Sequence, residues 1–490
     1  MEWREYHEFT KHTAERLRRA PHYLDWANMP NPFRHYEGVP VLDLPADPPA
    51  PEIPALEVLN GELGNTQAKD GAAFLSQLML YSAAVSATKR AAASTYALRV
   101  NPSSGNLHPT EFHFCSRGLI GWPDGLYHYR PSTHMAEQRA LGDFSGRMAG
   151  SDAPLVFVLT SIAWREAWKY RDRAYRYCLH DMGHAWQSLT LAARAMGCES
   201  YAVGDFADDE VSRNCALNED EWPMLIVALR GKSIPVEMRG PGETGFYGGN
   251  ANRLSEEVVP YPRIERMHAA TKVRVESPPE PVASAEQGGR GELSLPKSVV
   301  ADRGFGEVVR MRRSALDFRG GDEWMTLSQL AAVLASAGKP LFADFARQRF
   351  VQLYLYVHRV VGLAPGVYRY WPIHAELETM KLGDQRLAAA ALSLGQELAG
   401  NACVAFSMIG DFESATRMYG DRGYRYVHFE AGAIGQRMYL ASEAVGLRAT
   451  GIGAFFDDEV HRYLGIGPEL GQVVYHFAIG YPVRDPRLEA

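Results

Sequence analysis

The segment Arg99-Val100-Asn101-Pro102-Ser103-Ser104-Gly105-Asn106-Leu107-His108-Pro109 crowds prolines, a glycine, two hydroxyls and amide side chains into one short loop. Proline fixes φ and glycine admits positive φ, so the backbone is held to one path. Its short donors and acceptors, with little apolar surface, suit a polar ligand lying against it. A second polar cluster is Met311-Arg312-Arg313-Ser314, placed where a helix would begin. His180 and His184 stand at i, i+4 with Asp181 between them, a spacing that metal ligands use. No third ligand is indicated, so no metal site is expected.

Stepping from these residues to the elements that must carry them, Glu5 to Arg19 reads as a charged helix. Met29 to Pro54 contains eight prolines and predicts an extended arm laid over a neighbouring surface. Phe74 to Ala93 has helical spacing of Phe74, Leu75 and Leu78. Strands are predicted at Phe112–Phe114, Leu126–Tyr129, Pro154–Thr160 and Pro223–Leu229. A long helix is predicted over Tyr175–Met196, closed by Gly197. Ser233 to Lys297 is rich in glycine and proline and reads as irregular.

The order then repeats as strand-turn-strand at Val351–Tyr370, a buried strand near Ala402–Met408, and a long helix. Aligned without a gap at a shift of 249, Asp172–Arg213 and Asp421–Arg462 share 18 of 42 residues. Chance gives about two or three. Both copies carry Asp-Arg-x-Tyr-Arg-Tyr, a helical glycine and glutamine, and Gly-x-Phe-x-Asp-Asp-Glu-Val. The chain is an internal duplication, divided as 1–235, a linker at 236–297, and 298–490, and packed as a covalent two-fold pseudo-dimer.

The copies differ where the chemistry would be. The Pro102–Pro109 loop is replaced by Ala343–Phe350 in copy two. The Arg312-Arg313-Ser314 cluster has only Arg34 as a weak counterpart in copy one. Lys169-Tyr170 becomes Met418-Tyr419, and Gly451-Ile452-Gly453-Ala454 stands where copy one has Ala202-Val203-Gly204-Asp205.

With 490 residues, 46% of them hydrophobic and a net charge of -7, the chain reads as globular and gives no support for nucleic-acid binding. Five widely spaced cysteines without a CxxC pair fit a reducing compartment. No apolar run approaches a membrane span, and the expectation is a cytoplasmic protein.

The loop, the Arg-Arg-Ser cluster, Lys-Tyr-x5-Arg-Tyr and the Gly-Ile-Gly-Ala-Phe-Phe-Asp-Asp-Glu-Val tail resemble the nitroreductase superfamily of FMN flavoproteins. They are most similar to its SagB-type azoline dehydrogenases. The resemblance implies an α+β fold, an antiparallel-rich mixed sheet wrapped by helices, with FMN between the subunits. Carried over, Arg312, Arg313 and Ser314 would hold the phosphate, and Ile452, Gly453 and Ala454 would pass near the ring. Pro102, Ser103, Ser104 and Asn106 would contact the ribityl chain or ring edge, and Arg484 is a further candidate for the phosphate. Relatives often place another arginine where this chain has Leu316. Lys169 and Tyr170 would be the acid–base pair. The implied function is oxidation of a peptide-derived azoline or a related C–N or C–C bond at one hybrid flavin site, with O2 or another acceptor reoxidising the flavin. The alternatives are an NAD(P)H-dependent nitro or quinone reductase, or a non-catalytic binding module. The expected partners are a small molecule or peptide and, for the reductase, NAD(P)H; further oligomerisation is left open.

Overall fold

The structure, a computed structural model, describes residues 2–19, 23–91, 94–148, 152–240, 242–281 and 289–488. Each copy is an antiparallel sheet with one long helix against it. In copy one the strands run, edge to edge, Gly245–Phe246, Met135–Leu141, Gly125–Arg130, Thr110–Ser116, Leu155–Ser161, Trp222–Arg230 and Glu199–Val203. Copy two repeats the order with Leu293–Ser294, Glu376–Leu382, Gly366–Trp371, Val351–Val357, Val404–Gly410, Gln472–Gly480 and Arg448–Ile452. The central strands are buried on both faces because helices cover them, which is why they read as continuous apolar runs.

The two long helices, Ala174–Ala195 and Gly423–Ala444, pack on each other and form the core of the molecule. Gly183 and Gly432 meet at their crossing. Around this contact the ion pairs are duplicated in mirror fashion. Asp457 takes Arg173 and Arg176 at 3.0 and 2.8 Å, and Asp208 takes Arg422 and Arg425 at 2.5 and 2.7 Å. All six groups are buried, and in each set one carboxylate of one copy serves two guanidinium groups of the other. Such reciprocal pairing is the signature of a two-fold interface built into one chain.

Four expectations need correction. The N-terminal helix is two helices, Glu2–Phe9 and Ala14–Arg19. The Thr10 hydroxyl donates back to Tyr6 and His7 carbonyls, and the chain turns so that Lys11 reaches Asp458. The helix starting near Phe74 spans Gly71–Leu80 and is followed by a hairpin, Val85–Ala91 with Ser94–Arg99. The β-branched Val85, Thr88 and Thr95 favour the strand there; Ala92 and Ala93 lie outside the described residues.

Third, the stretch 233–297 holds an 11-residue helix, Pro262–Lys272. It starts on proline and buries Ile264, Met267, His268 and Thr271 at helical spacing. It repeats the N-terminal helix: His-x-x-Thr-Lys occurs at His7–Lys11 and at His268–Lys272. Arg176 donates to Thr10 Oγ1 at 2.9 Å, and Arg425 to Thr271 Oγ1 at 2.7 Å. Residues 282–288 of the linker lie outside the described residues. Fourth, Arg312-Arg313-Ser314 follows a helix, Phe305–Met311, rather than starting one.

The proline-rich arm does wrap copy one, with Tyr36–Glu37 paired to Asn250–Ala251 and Val41–Asp43 paired to Met135–Glu137. Among the described residues no helix is long and apolar enough to cross a membrane.

Candidate functional site

A cavity of about 370 Å³ opens between the copies. Copy one contributes Pro102, Ser103, Ser104 and Asn106, together with Tyr170 and Asp181. Copy two contributes Arg312, Arg313, Ser314 and the backbone of Gly451–Ala454. Segments more than two hundred residues apart thus share one wall. Lys169 lies just behind: a Cβ on Gly105 would stand 2.8 Å from the Tyr170 hydroxyl and 3.1 Å from Lys169 Nζ. Arg484 is not among the lining residues; its neighbour Asp485 is, ion-paired to Lys89 of the hairpin at 3.6 Å.

The polar loop is held by its own chemistry. Gly105, Asn106 and His108 all adopt positive φ, at 58, 61 and 50°, a strained path for the two non-glycines. Asp181 anchors it by accepting Ser103 Oγ at 2.6 Å, Ser104 Oγ at 3.0 Å and the Ser104 N–H. Asn106 donates to the Ala97 carbonyl at 3.0 Å and meets His108 Nε2 at 3.0 Å. The loop side chains are therefore committed inward, which fixes the surface the loop presents.

Beside the loop the lining is cationic. Arg312 donates to the carbonyls of Val100 and Arg99 at 3.0 and 3.2 Å, but its buried Nη1 has no partner. Arg99, fully buried, donates Nη2 to the Pro32 carbonyl and sets its guanidinium over the Phe33 ring, leaving Nε and Nη1 unpartnered. Burial pulls its guanidinium down to about 10, and burial together with Arg312 and Arg310 does the same to Arg313. A cavity lined by Arg312, Arg313 and Ser314, with one Arg312 donor still unpaired, is what a bound anion would satisfy. Gly451 and Gly453 bring backbone close to Tyr475 and Tyr177, with no room for a Cβ. The Gly451 N–H and the Ser314 hydroxyl both meet Tyr439 OH at 2.8 Å, tying the arginine segment to the glycine segment. An anionic, ring-bearing cofactor fits this set.

His180 and His184 do not approach a metal-like cluster. His184 meets Tyr475 OH at 3.1 Å and Gln436 Oε1 at 3.3 Å, and no group of three potential ligands is found among the described residues. Sequence reasoning missed Asp181 as the loop anchor, and Arg99 and Tyr439 as lining residues. The Thr190/Tyr439 difference between copies was a readable signal, and nothing in sequence marked Arg99 as buried.

The symmetry-related position is filled by the protein. Phe345 stacks on Tyr426, ring centroids 4.3 Å apart and 7° from parallel. Asp344 accepts the N–H groups of Gly204 and Asp205 at 2.8 and 3.0 Å. Gly204 and Tyr426 are the counterparts of Gly453 and Tyr177, so the loop that replaced Pro102–Pro109 occupies the second cleft with an aromatic ring.

A family model described as the nitroreductase family matches residues 80–232 and again 325–481. MJ1384 of Methanocaldococcus jannaschii, a nitroreductase by name, is 29% identical over 184 residues, 36% of this chain and 90% of that protein. The microcin B17-processing protein McbC of Escherichia coli is 28% identical over 148 residues, 27% of this chain, which spans about half (54%) of McbC. A crystal structure from Anabaena variabilis, also a nitroreductase by name, has a TM-score of 0.80 at 26% identity, covering 98% of this chain and 99% of that one.

Proposed function

Because the chain belongs to the nitroreductase family, whose domain it carries twice, we propose that it is an FMN-dependent dehydrogenase with one flavin site per chain. The observation that carries this reading is a cavity split between the copies whose copy-two side is formed by Arg312, Arg313 and Ser314, with Arg312 Nη1 still lacking an acceptor. Arg312, Arg313 and Ser314 would hold the phosphate. The Pro102–Asn106 loop and the Ile452–Ala454 backbone would flank the ribityl chain and the ring.

FMN, when bound, supplies a hydride acceptor. The chain's own task is then to orient the substrate and take the accompanying proton. Lys169 and Tyr170 are the groups for it, since their tips converge on Gly105 at the cavity edge. The substrate class is a peptide-derived azoline or a related C–N or C–C bond, a choice supported by the likeness to a microcin-processing protein. The likeness to MJ1384 favours a second reading, an NAD(P)H-dependent nitro or quinone reductase at the same site.

The test is the visible spectrum of the purified protein, with released flavin counted against chain. About one FMN per chain supports the proposal. A colourless protein that takes up no added FMN refutes it. NAD(P)H oxidation coupled to a nitroarene or quinone separates the two readings.

A further inference from the structure

Glu166 lies on the helix Ala163–Tyr170 with no exposed surface, and neither carboxyl oxygen has a hydrogen-bond partner. Its neighbour across the helix packing is Asp181, also buried. Asp181 already accepts the Ser103 and Ser104 hydroxyls and the Ser104 N–H. The other groups facing the pair are Lys169 and Tyr170 on the Glu166 helix, Cys178 on the long helix, and Tyr475 on the copy-two strand Gln472–Gly480. A buried carboxylate with no donor is expensive; a protonated one can give its own hydrogen to the adjacent carboxylate.

Resting on the function proposed above, we infer that Glu166 and Asp181 share a single proton and that Glu166 is a positioning residue for Lys169 and the Ser103-Ser104 loop. The pair keeps one negative charge, which compensates the Lys169 ammonium after it takes a proton from substrate. The shared proton fixes Asp181 in the orientation that anchors the loop.

Copy two supplies an independent comparison. At the shift of 249, Glu166 and Lys169 are replaced by Ala415 and Met418, and Asp181 by Glu430. Glu430 accepts the backbone N–H groups of Phe350 and Val351 at 3.0 and 3.1 Å, an anchoring role, and Ala415 stands where copy one has Glu166. The acid pair and the lysine are thus present only in the copy that has the polar loop. Burial pushes Asp181 up to about 7 against the hydrogen bonds it accepts from Ser103 and Ser104; burial and the Asp181 charge raise Glu166, while Lys169 pulls it the other way.

The experiment is the infrared difference spectrum of the full chain, wild type minus Glu166→Gln, recorded at neutral pH with and without FMN. The expected result is a protonated-carboxyl band in wild type that is lost in Glu166→Gln. Asp181→Asn, a second route should Glu166→Gln fail to fold, is expected to keep a protonated-carboxyl band at a shifted frequency, because the buried Glu166 then holds the proton alone. No band in wild type at neutral pH, or a wild-type band that survives unchanged in Glu166→Gln, overturns the inference. Because the band is read without substrate and in either flavin state, its failure is distinct from failure to bind FMN.

Discussion

Gly183 and Gly432 meet where the two long helices cross: a Cβ on Gly183 would stand 2.9 Å from the Gly432 Cα, and one on Gly432 3.0 Å from the Gly183 Cα. Close approach of backbones, not helix propensity, demands glycine at both positions, since glycine inside a helix costs about 1 kcal/mol relative to alanine. Gly183→Ala should push the helices apart and lower stability by about 1–3 kcal/mol. Denaturant unfolding of the purified variant checks this, and an unchanged midpoint would show that the crossing is slack.

The stacked Phe345 ring and the Asp344 carboxylate close the second cleft. Wild-type protein saturated with FMN should therefore hold about one flavin per chain. Equilibrium dialysis giving a ratio near two would defeat the hybrid-site proposal.

The phosphate end should depend on Arg312 far more than on Arg484. Removing a buried charged donor costs about 1.5–3 kcal/mol. Arg312→Ala should thus weaken FMN roughly 10- to 100-fold. Arg484, outside the lining, should change affinity little when replaced by alanine. Flavin fluorescence titration of both variants ranks them, and an equal loss would restore Arg484 to the site.

Lys169 and Tyr170 flank the loop glycine, and Lys169 is half-buried and absent from the lining itself. Lys169→Ala should keep bound FMN and lose turnover by roughly 100-fold or more, the range of one general acid–base group. Turnover unchanged with flavin retained would remove Lys169 from the chemistry.

Asp457 is held below its ordinary range: burial raises it, but Arg173 and Arg176 more than offset that. Its stabilisation is present above the unfolded carboxylate value near pH 4 and lost as pH falls through the lowered folded value. Asp457→Ala leaves two buried guanidinium groups uncompensated and should cost roughly 3–5 kcal/mol at neutral pH. The variant should also show a flatter loss of stability below pH 4 than wild type. Urea unfolding at pH 3 and pH 7 measures both effects.

The duplication, the buried strands, both long helices and most of the cavity lining were legible in the sequence. They rest on local rules: apolar runs make buried strands, 3.6-residue spacing makes helices, and two aligned copies expose what one has lost. The hairpin Val85–Arg99 and the helix Pro262–Lys272 were harder, because small residues fit helix and strand alike and a short apolar stripe hides among prolines. Only the tertiary structure brought Arg312 against the Arg99 and Val100 carbonyls, Asp181 under Ser103, and Phe345 onto Tyr426. Those contacts join residues 78 to more than 200 positions apart, or depend on the fit of one ring on another, and no local pattern encodes either. Residue types thus set which chemistry was available, while packing across the pseudo-two-fold axis decided where it was assembled and which of the two clefts was filled.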